Sequence, residues 1–384
     1  MSKVGEKMDA VGLVVEFNPF HNGHRYYVQK AKQVTGADVA VAVMSGDFTQ
    51  RGEPTIVDKW QRAHAALLNG VDLVVELPIC YACQPAHRFA AGALGLLNQL
   101  QVKNVAFGAE HPDWDFKKLV AAARDFNQQA LKQYNETYAT QFNDQLAQRT
   151  GVSLKDPNDI LAFAYTKAVS AHHYPINLVP IARRGSNYHD EEIHGQIASA
   201  SAIREAVKEH AAFAPTVPPA MLPVLQAVAT VPSWAALYPL LRNQLIQAPV
   251  ATLAQTYQMA EGLEHRMKEF AERKLTFPGF IHGIKTKRYT YAHLLRLCLY
   301  TTLQLTEDEM AAHIDQPFIH ILGFNKRGQE YLHQVKKRVA VPMFTKVSQE
   351  MKEDLYNLDY RAGKLYQNFT PADQDLKHPP LIIR

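Results

Sequence analysis

No apolar run in this 384-residue chain approaches the roughly 18 consecutive residues that suggest a membrane-spanning helix. Met1 to Met8 also lack the apolar core of a secretion signal. Membrane and secreted classes are therefore not expected, and the cytoplasm is. Cysteine is scarce: three residues cannot make a fully paired disulfide framework. Cys80 and Cys83 form a CxxC, but no second CxxC or histidine pair completes a tetrahedral zinc set, so both are expected to be small, half-buried packing residues and no metal site is assigned. A strong net charge is missing too. The total is only +4, yet residues 242–384 hold 20 Lys and Arg against 15 Asp and Glu, while residues 1–241 are balanced at 21 against 22. A basic excess confined to the C-terminal part suits contact with a polyanion, although solvated helix faces give the same count.

With 47% apolar and 20% charged residues, the composition is that of a folded protein, and the length favours about two domains. The first half alternates apolar runs with helical periods. Val11–Val15, Val39–Met44, Leu73–Leu77, Val102–Phe107 and Ile176–Ile181 read as strands buried on both faces. Helical stretches lie near 23–35, 57–69, 86–99, 115–147 and 157–171, and a last one runs from about Ser199 to His210. This order predicts an α/β fold with a Rossmann-like parallel sheet. Ala214-Pro215-Thr216-Val217-Pro218-Pro219 breaks the pattern, which puts a domain boundary between residues 1–213 and 214–384. Beyond it the periods are helical, with breaks expected at Pro278-Gly279, Gly323 and Pro342.

In open parallel sheets ligands sit beyond the carboxyl ends of the strands, where helix N-termini offer unpaired N–H groups. The loop Asn18-Pro19-Phe20-His21-Asn22-Gly23-His24 falls at that place after the first strand. His21 and His24, three apart on an opening turn, can point to one side, and Gly23 leaves the backbone open to a phosphate. Two imidazole donors plus backbone N–H groups suit a triphosphate and the charge that develops at its α-phosphorus. The alternative is that the pair simply caps a helix. Ile197-Ala198-Ser199-Ala200-Ser201-Ala202-Ile203-Arg204 is a second signal: serines at a helix start can cap it or donate to phosphate, and Arg204 can reach the same anion one turn later.

HxGH early and a serine-rich S-x-I-R helix start late resemble the HxGH nucleotidyltransferase superfamily, and the lack of a KMSKS-like string argues against a tRNA synthetase. Longer strings run from Val11 to His24, from Met44 to Pro54, over Asp58-Lys59-Trp60, Glu76-Leu77-Pro78, Phe107–Glu110 and Pro157–Ala162, and from Lys285 to Thr290. Through these the chain resembles the bacterial tRNA-Met cytidine acetate ligases over nearly its whole length. The resemblance implies contacts to ATP from Val11, Gly12, Leu13, Val14, Val15, Glu16, Phe17, Asn18, Pro19, Phe20, His21, Asn22, Gly23 and His24, and from Gly108, Asn158 and Arg183. Arg184 joins them as a neighbour after the fifth strand, and Ser201 and Arg204 as the second wall. Gly108 ends the fourth strand, where a bare backbone would admit adenine or ribose; Asn158 reads equally as a helix N-cap. The chain departs from the family pattern with Asp47 for Asn, Ser201 for Thr and His87 for an acidic residue.

The implied activity is two-step. Acetate attacks the α-phosphorus of ATP with loss of pyrophosphate, His21 and His24 acting as catalytic donors. The acetyl-adenylate then acetylates N4 of the wobble cytidine of elongator tRNA-Met. Mg²⁺ is an expected companion of ATP, although no carboxylate cluster marks a dedicated site. The basic stretch from Arg266 to Arg296, interleaved with Tyr289, Tyr291 and His293, is the expected tRNA surface, with Lys285, Lys287, Arg288 and Arg296 as its phosphate contacts. Internal packing of the tyrosines is the alternative there. The rival functions are a coenzyme-forming adenylyltransferase on the same fold and a non-catalytic RNA-binding protein that keeps a nucleotide pocket.

Overall fold

The computed structural model describes residues 7–124, 126, 137–182, 195–376 and 378–384. Five parallel strands form its centre: β1 (Ala10–Val15), β2 (Val39–Ser45), β3 (Leu73–Leu77), β4 (Asn104–Ala109) and β5 (Asn177–Ala182). Their spatial order is β5-β4-β1-β2-β3, so the connection after β3 crosses to the far side of β1. The reversal of strand order opens a crevice between the carboxyl ends of β1 and β4. Helices on both faces account for the continuous apolar strands: β2 and β3 are buried throughout, one face in each of two apolar clusters. β5 is different. It was expected to be covered on both faces, but it lies at the sheet edge and is half-exposed along most of its length.

The 214–384 segment needs a larger correction. Its helices run through Trp234–Gln247, Leu263–Arg273, Phe277–Ile284, Tyr291–Thr302 and Glu307–Asp315. The chain then returns to the sheet. β6 (Ile319–Asn325) pairs antiparallel with β3, and the short β7 (Met343–Phe344) and β8 (Leu381–Ile383) both pair with β6. Gly323 therefore lies inside a strand, and Pro278-Gly279 sits in the first turn of the helix Phe277–Ile284. Met8 is held to the fold by two hydrogen bonds exchanged with the Gln334 side chain. No helix among the described residues is long and apolar enough to cross a membrane.

The return is fastened by a buried polar network. Lys59, at the start of the helix Lys59–Leu68, donates from Nζ to Glu76 on β3 (2.8 Å), Asp375 (2.7 Å) and Tyr356 (3.0 Å). His320 of β6 meets the other Glu76 oxygen at 2.7 Å. Burial works against the Lys59 ammonium, but Asp375, Glu76 and Asp47 outweigh it and hold its pKa well above the usual lysine value. Burial likewise opposes ionisation of Glu76, and Lys59 and His320 overcome it, keeping that carboxyl well below its normal range.

Candidate active site

A cavity of about 850 Å³ opens at the crevice. Val14, Val15 and Glu16 from the end of β1, Phe107 and Gly108 from β4, and Ile181 and Ala182 from β5 form its floor. Phe17, Asn18, His21, Gly23 and His24 line it from the HxGH loop, and Ser199, Ser201 and Arg204 from the start of the helix Ala200–Lys208. Asn158 and Ile160, at the start of the helix Pro157–His172, close the β4 side together with Lys155.

His21 is the N-cap of the helix Asn22–Thr35. Its Nδ1 accepts from the Gly23 N–H (3.0 Å), and the Nδ1 of His24 accepts from the His21 N–H (3.4 Å). Capping engages Nδ1 of each ring and so does not exclude a donor role for Nε2. A neutral imidazole whose Nδ1 accepts carries its proton on Nε2, so each histidine presents a donor of fixed tautomer on a wall of the cavity. The rings pack with centroids 3.7 Å apart. Gly23 has a more immediate role than the one expected: a Cβ there would stand 2.8 Å from the His21 ring, so the capping geometry itself requires glycine.

Of the other expected ATP contacts, Val11, Gly12 and Leu13 are interior to the sheet, with Val11 and Leu13 fully buried, and do not line the cavity. Pro19 and Phe20 do not line it either; Phe20 is core. Asn22 turns away, its Nδ2 donating to the carbonyls of Gln196 (3.0 Å) and Pro215 (2.8 Å), which ties the HxGH helix to the segment before Ser199. Asn158 is not an N-cap, since Asp156 holds that place; its Nδ2 donates to Glu110 (2.5 Å). Arg183 and Arg184 lie outside the described residues.

At the second wall the two serines divide their work. Both line the cavity, but Ser199 is the N-cap, its Oγ accepting from the Ala202 N–H at 3.0 Å, whereas Ser201 is the second residue of the helix. Arg204 donates to the Asn18 carbonyl at 2.8 Å and so joins this wall to the HxGH loop. This separates the two readings by experiment. Ser199→Ala should cost about 1 kcal/mol of stability, as lost caps do. Ser201→Ala should leave the melting temperature unchanged and weaken ATP binding by a factor of about 2 to 10, the worth of one ordinary hydrogen bond. Calorimetric titration and thermal melts of both variants check this, and a Ser201→Ala protein that melts early while binding ATP normally would reverse the assignment.

Sequence reading missed two parts of the site. Arg62, fully buried, donates to the carbonyls of Glu16 (2.6 Å) and Ser45 (3.0 Å) and so clamps the ends of β1 and β2 together. The turn Thr49-Gln50-Arg51-Gly52-Glu53 puts Thr49, Gln50, Arg51 and Glu53 on the cavity wall. Its position after the second parallel strand was the available signal. Glu16, already an expected ATP contact, is tied to that turn: its side chain accepts from the Gln50 N–H at 2.7 Å. Burial pushes the Glu16 carboxyl up, against the opposing pull of that N–H, Arg51 and Arg204. Glu16 and Glu53 are the carboxylates on the cavity wall among the described residues, and two carboxylates, one of them already accepting from the Gln50 N–H, do not make a Mg²⁺ cage.

Asp47 faces away from the cavity and accepts from the Lys59 N–H at 2.9 Å. Burial pushes its carboxyl up to about 7, with Lys59 and Arg62 pulling the other way. Between the unfolded carboxylate range and pH 7 the folded state then holds the extra proton, so this group costs stability progressively as pH rises through that window. Asp47→Asn should accordingly raise the melting temperature at about pH 8 and lose that advantage toward about pH 4. A gain that does not depend on pH in paired melts would contradict this account. Cys80 and Cys83 are free thiols, fully rather than half buried, and burial pushes both thiols up, so neither offers a ready thiolate.

The basic stretch also divides. Arg296 is buried, only 6% exposed, with Nη1 directed at the Gln50 carbonyl (3.5 Å), so it braces the 49–53 turn and is withdrawn from the expected phosphate surface. Lys285 donates to the carbonyls of Thr286 and Tyr289, both at 2.6 Å, and holds its own loop. Lys268 caps the end of the helix Trp234–Gln247 through the Leu245, Ile246 and Ala248 carbonyls. Tyr289 stacks on His293 and donates to Glu261, which also pairs with Arg288. Lys287 remains exposed beside a shallow depression shared with Arg266 and Arg288.

Comparison with known proteins agrees with this architecture. The HIGH Nucleotidyl Transferase family model matches residues 8–378. The tRNA(Met) cytidine acetate ligase of Limosilactobacillus reuteri is 64% identical over 98% of this chain and 100% of its own, and that of Limosilactobacillus fermentum is 59% identical over the same shares. Two crystal structures of Thermotoga maritima TmcAL, each 27% identical, superpose over 98% of this chain and 100% of theirs: the apo form with a TM-score of 0.89, and the form bound with alpha-thio ATP with 0.87. A sheet crevice walled by an HxGH turn and a serine-capped helix, in a chain alike along its whole length, has one place among these: the chain belongs to the tRNA(Met) cytidine acetate ligases, within the HIGH nucleotidyl transferase family.

Proposed function

We propose that the protein uses ATP to join acetate to N4 of the wobble cytidine of elongator tRNA-Met, by way of acetyl-adenylate. The observation that carries this reading is the meeting of the HxGH turn and the Ser201–Arg204 helix start across one cavity, bridged by the Arg204 to Asn18 hydrogen bond. The apolar side chains of Phe107, Ile160 and Tyr165 suit an adenine on the β4 side, and bare backbone at Gly108 lets it approach. The triphosphate then lies across the N-termini of two helices, with the Nε2–H donors of His21 and His24 toward the phosphorus under attack. Acetate oxygen attacks that phosphorus and pyrophosphate leaves. The enzyme needs no covalent intermediate, only donors already in place. Mg²⁺ would arrive on the triphosphate oxygens, since the wall carboxylates form no cage for it. The direct test is to supply ATP with a panel of small carboxylic acids and identify the adenylate: acetyl-adenylate from acetate alone supports the reading, and its absence refutes it.

For the tRNA surface, Lys287 replaces Lys285 and Arg296 as the residue to test. Lys287→Glu should leave acetate-dependent ATP–pyrophosphate exchange intact and weaken tRNA binding by about tenfold. It should also flatten the salt dependence of binding, because one phosphate contact and its released counterion are lost. Unchanged affinity and salt slope in filter binding would remove this loop from the interface.

A further inference from the structure

The cavity wall carries a carboxylate, Glu53, that has no part in the adenylation step proposed above. Glu53 lines the wall, yet among the described residues its side chain receives no hydrogen bond and joins no ion pair. Its backbone does the structural work of the turn instead: the Glu53 N–H donates to Thr49 Oγ1 (3.2 Å), and its carbonyl accepts from the Thr49 N–H (2.8 Å). The turn belongs to the β2 side of the crevice, away from Gly108 and Asn158 on the β4 side. It is also where the helical region docks. Trp234 Nε1 donates to the Gly52 carbonyl (2.7 Å), and Gly52, at φ +81°, packs so closely that a Cβ would stand 3.0 Å from the Arg296 backbone. Tyr291 opens the helix that makes this contact and is 49% exposed. The packing of this helix on Gly52 sets Tyr291 beside the turn that carries Glu53, and burial lifts its phenol with the Glu53 charge adding to the effect. Glu16 is a poor candidate for the same work, since its carboxylate is already engaged by the Gln50 N–H.

We propose that Glu53 accepts the N4 proton of the target cytidine during acetyl transfer, while Tyr291 offers the ring on which that base stacks. This rests on the acetate ligase reading. The N4 lone pair attacks the acetyl carbonyl carbon and a C–N bond forms. The C–O bond to the AMP phosphate breaks, AMP leaves with the electron pair, and the N4 proton passes to the Glu53 carboxylate. The same carboxylate selects the base, since it accepts from the amino group of cytosine and opposes the O4 of uracil. Stacking on an exposed aromatic is the usual way a base drawn out of an RNA loop is held.

The experiment separates the two half-reactions in the full-length protein, using acetate-dependent ATP–pyrophosphate exchange and single-turnover transfer to an unmodified tRNA-Met transcript. Glu53→Gln should slow transfer by about 100-fold or more, as loss of a general base does, while exchange stays within about threefold; Glu53→Asp should recover part of the transfer rate. Tyr291→Ala should raise the KM for the transcript about tenfold, and Tyr291→Phe should not. Transfer at the wild-type rate in Glu53→Gln overturns the proposal. So does an equal fall in both half-reactions, which would place Glu53 with ATP or in the fold. If the unmutated protein makes acetyl-adenylate but acetylates no transcript, the acetate ligase reading itself fails, and that result is distinct because it needs no variant.

Discussion

His21→Ala and His24→Ala should each lower acetate-dependent ATP–pyrophosphate exchange by about two to three orders of magnitude, the usual consequence of removing a preorganised donor to a developing charge. Each change also removes a capping acceptor from the helix Asn22–Thr35, a loss of about 1 kcal/mol and a few degrees of melting temperature. The two effects can be parted. Asparagine is a good N-cap, so His21→Asn restores the acceptor for the Gly23 N–H without restoring the imidazole. It should therefore melt like the wild type and remain as slow as alanine. Exchange that recovers together with the melting temperature would mean that the histidines act through helix order alone, and near wild-type exchange in either alanine variant would remove them from the chemistry.

Lys59→Met is expected to be the most destabilising single change, about 3 to 5 kcal/mol, because it leaves Glu76 and Asp375 buried without their cation. Both carboxylates are almost wholly inaccessible, so water cannot take over. The expected cost lies in the stranded charges and not in the loss of the ion pairs as such. Neutralising the partners, in Lys59→Met with Glu76→Gln and Asp375→Asn, should return much of the stability. Urea unfolding of the single and triple variants measures this. A single variant within about 1 kcal/mol of wild type would show that the network does not fasten the return of the chain, and a triple variant no better than the single would assign the cost to packing.

The strands and the site differ in how far each was legible. β1 to β4 could be read from apolar runs because they are covered on both faces. β5 has a similar run but sits at an edge, and apolarity alone does not distinguish an edge from a centre. β6 was missed because His320, Gly323 and Asn325 interrupt its apolar pattern; the polarity of His320 makes sense only beside Glu76, 244 positions away in sequence. His21 and His24 were found because the motif and its position after a strand coincide. Arg296 was misplaced because a count of basic residues carries no information about burial, and burial alone turns this guanidinium from a surface contact into a brace for the 49–53 turn. Arg62 and Lys59 gave no local signal, since their partners are carbonyls and carboxylates distributed over the whole chain.

The antiparallel pairing of β3 with β6 has a consequence for biosynthesis. A ribosome delivers β1 to β5 and the helix Ala200–Lys208 first, and with them the whole cavity wall, but β3 then stands at an open edge until Ile319–Asn325 emerges. At ordinary elongation rates that interval is on the order of ten seconds or more. During it the nascent sheet exposes unpaired N–H and C=O groups on an apolar strand, with Lys59 and Glu76 waiting for Asp375 and His320. The last part of the gene thus encodes the partner that closes the sheet, and chains released early should be cleared by proteases or held by chaperones even though the HxGH loop has already been made.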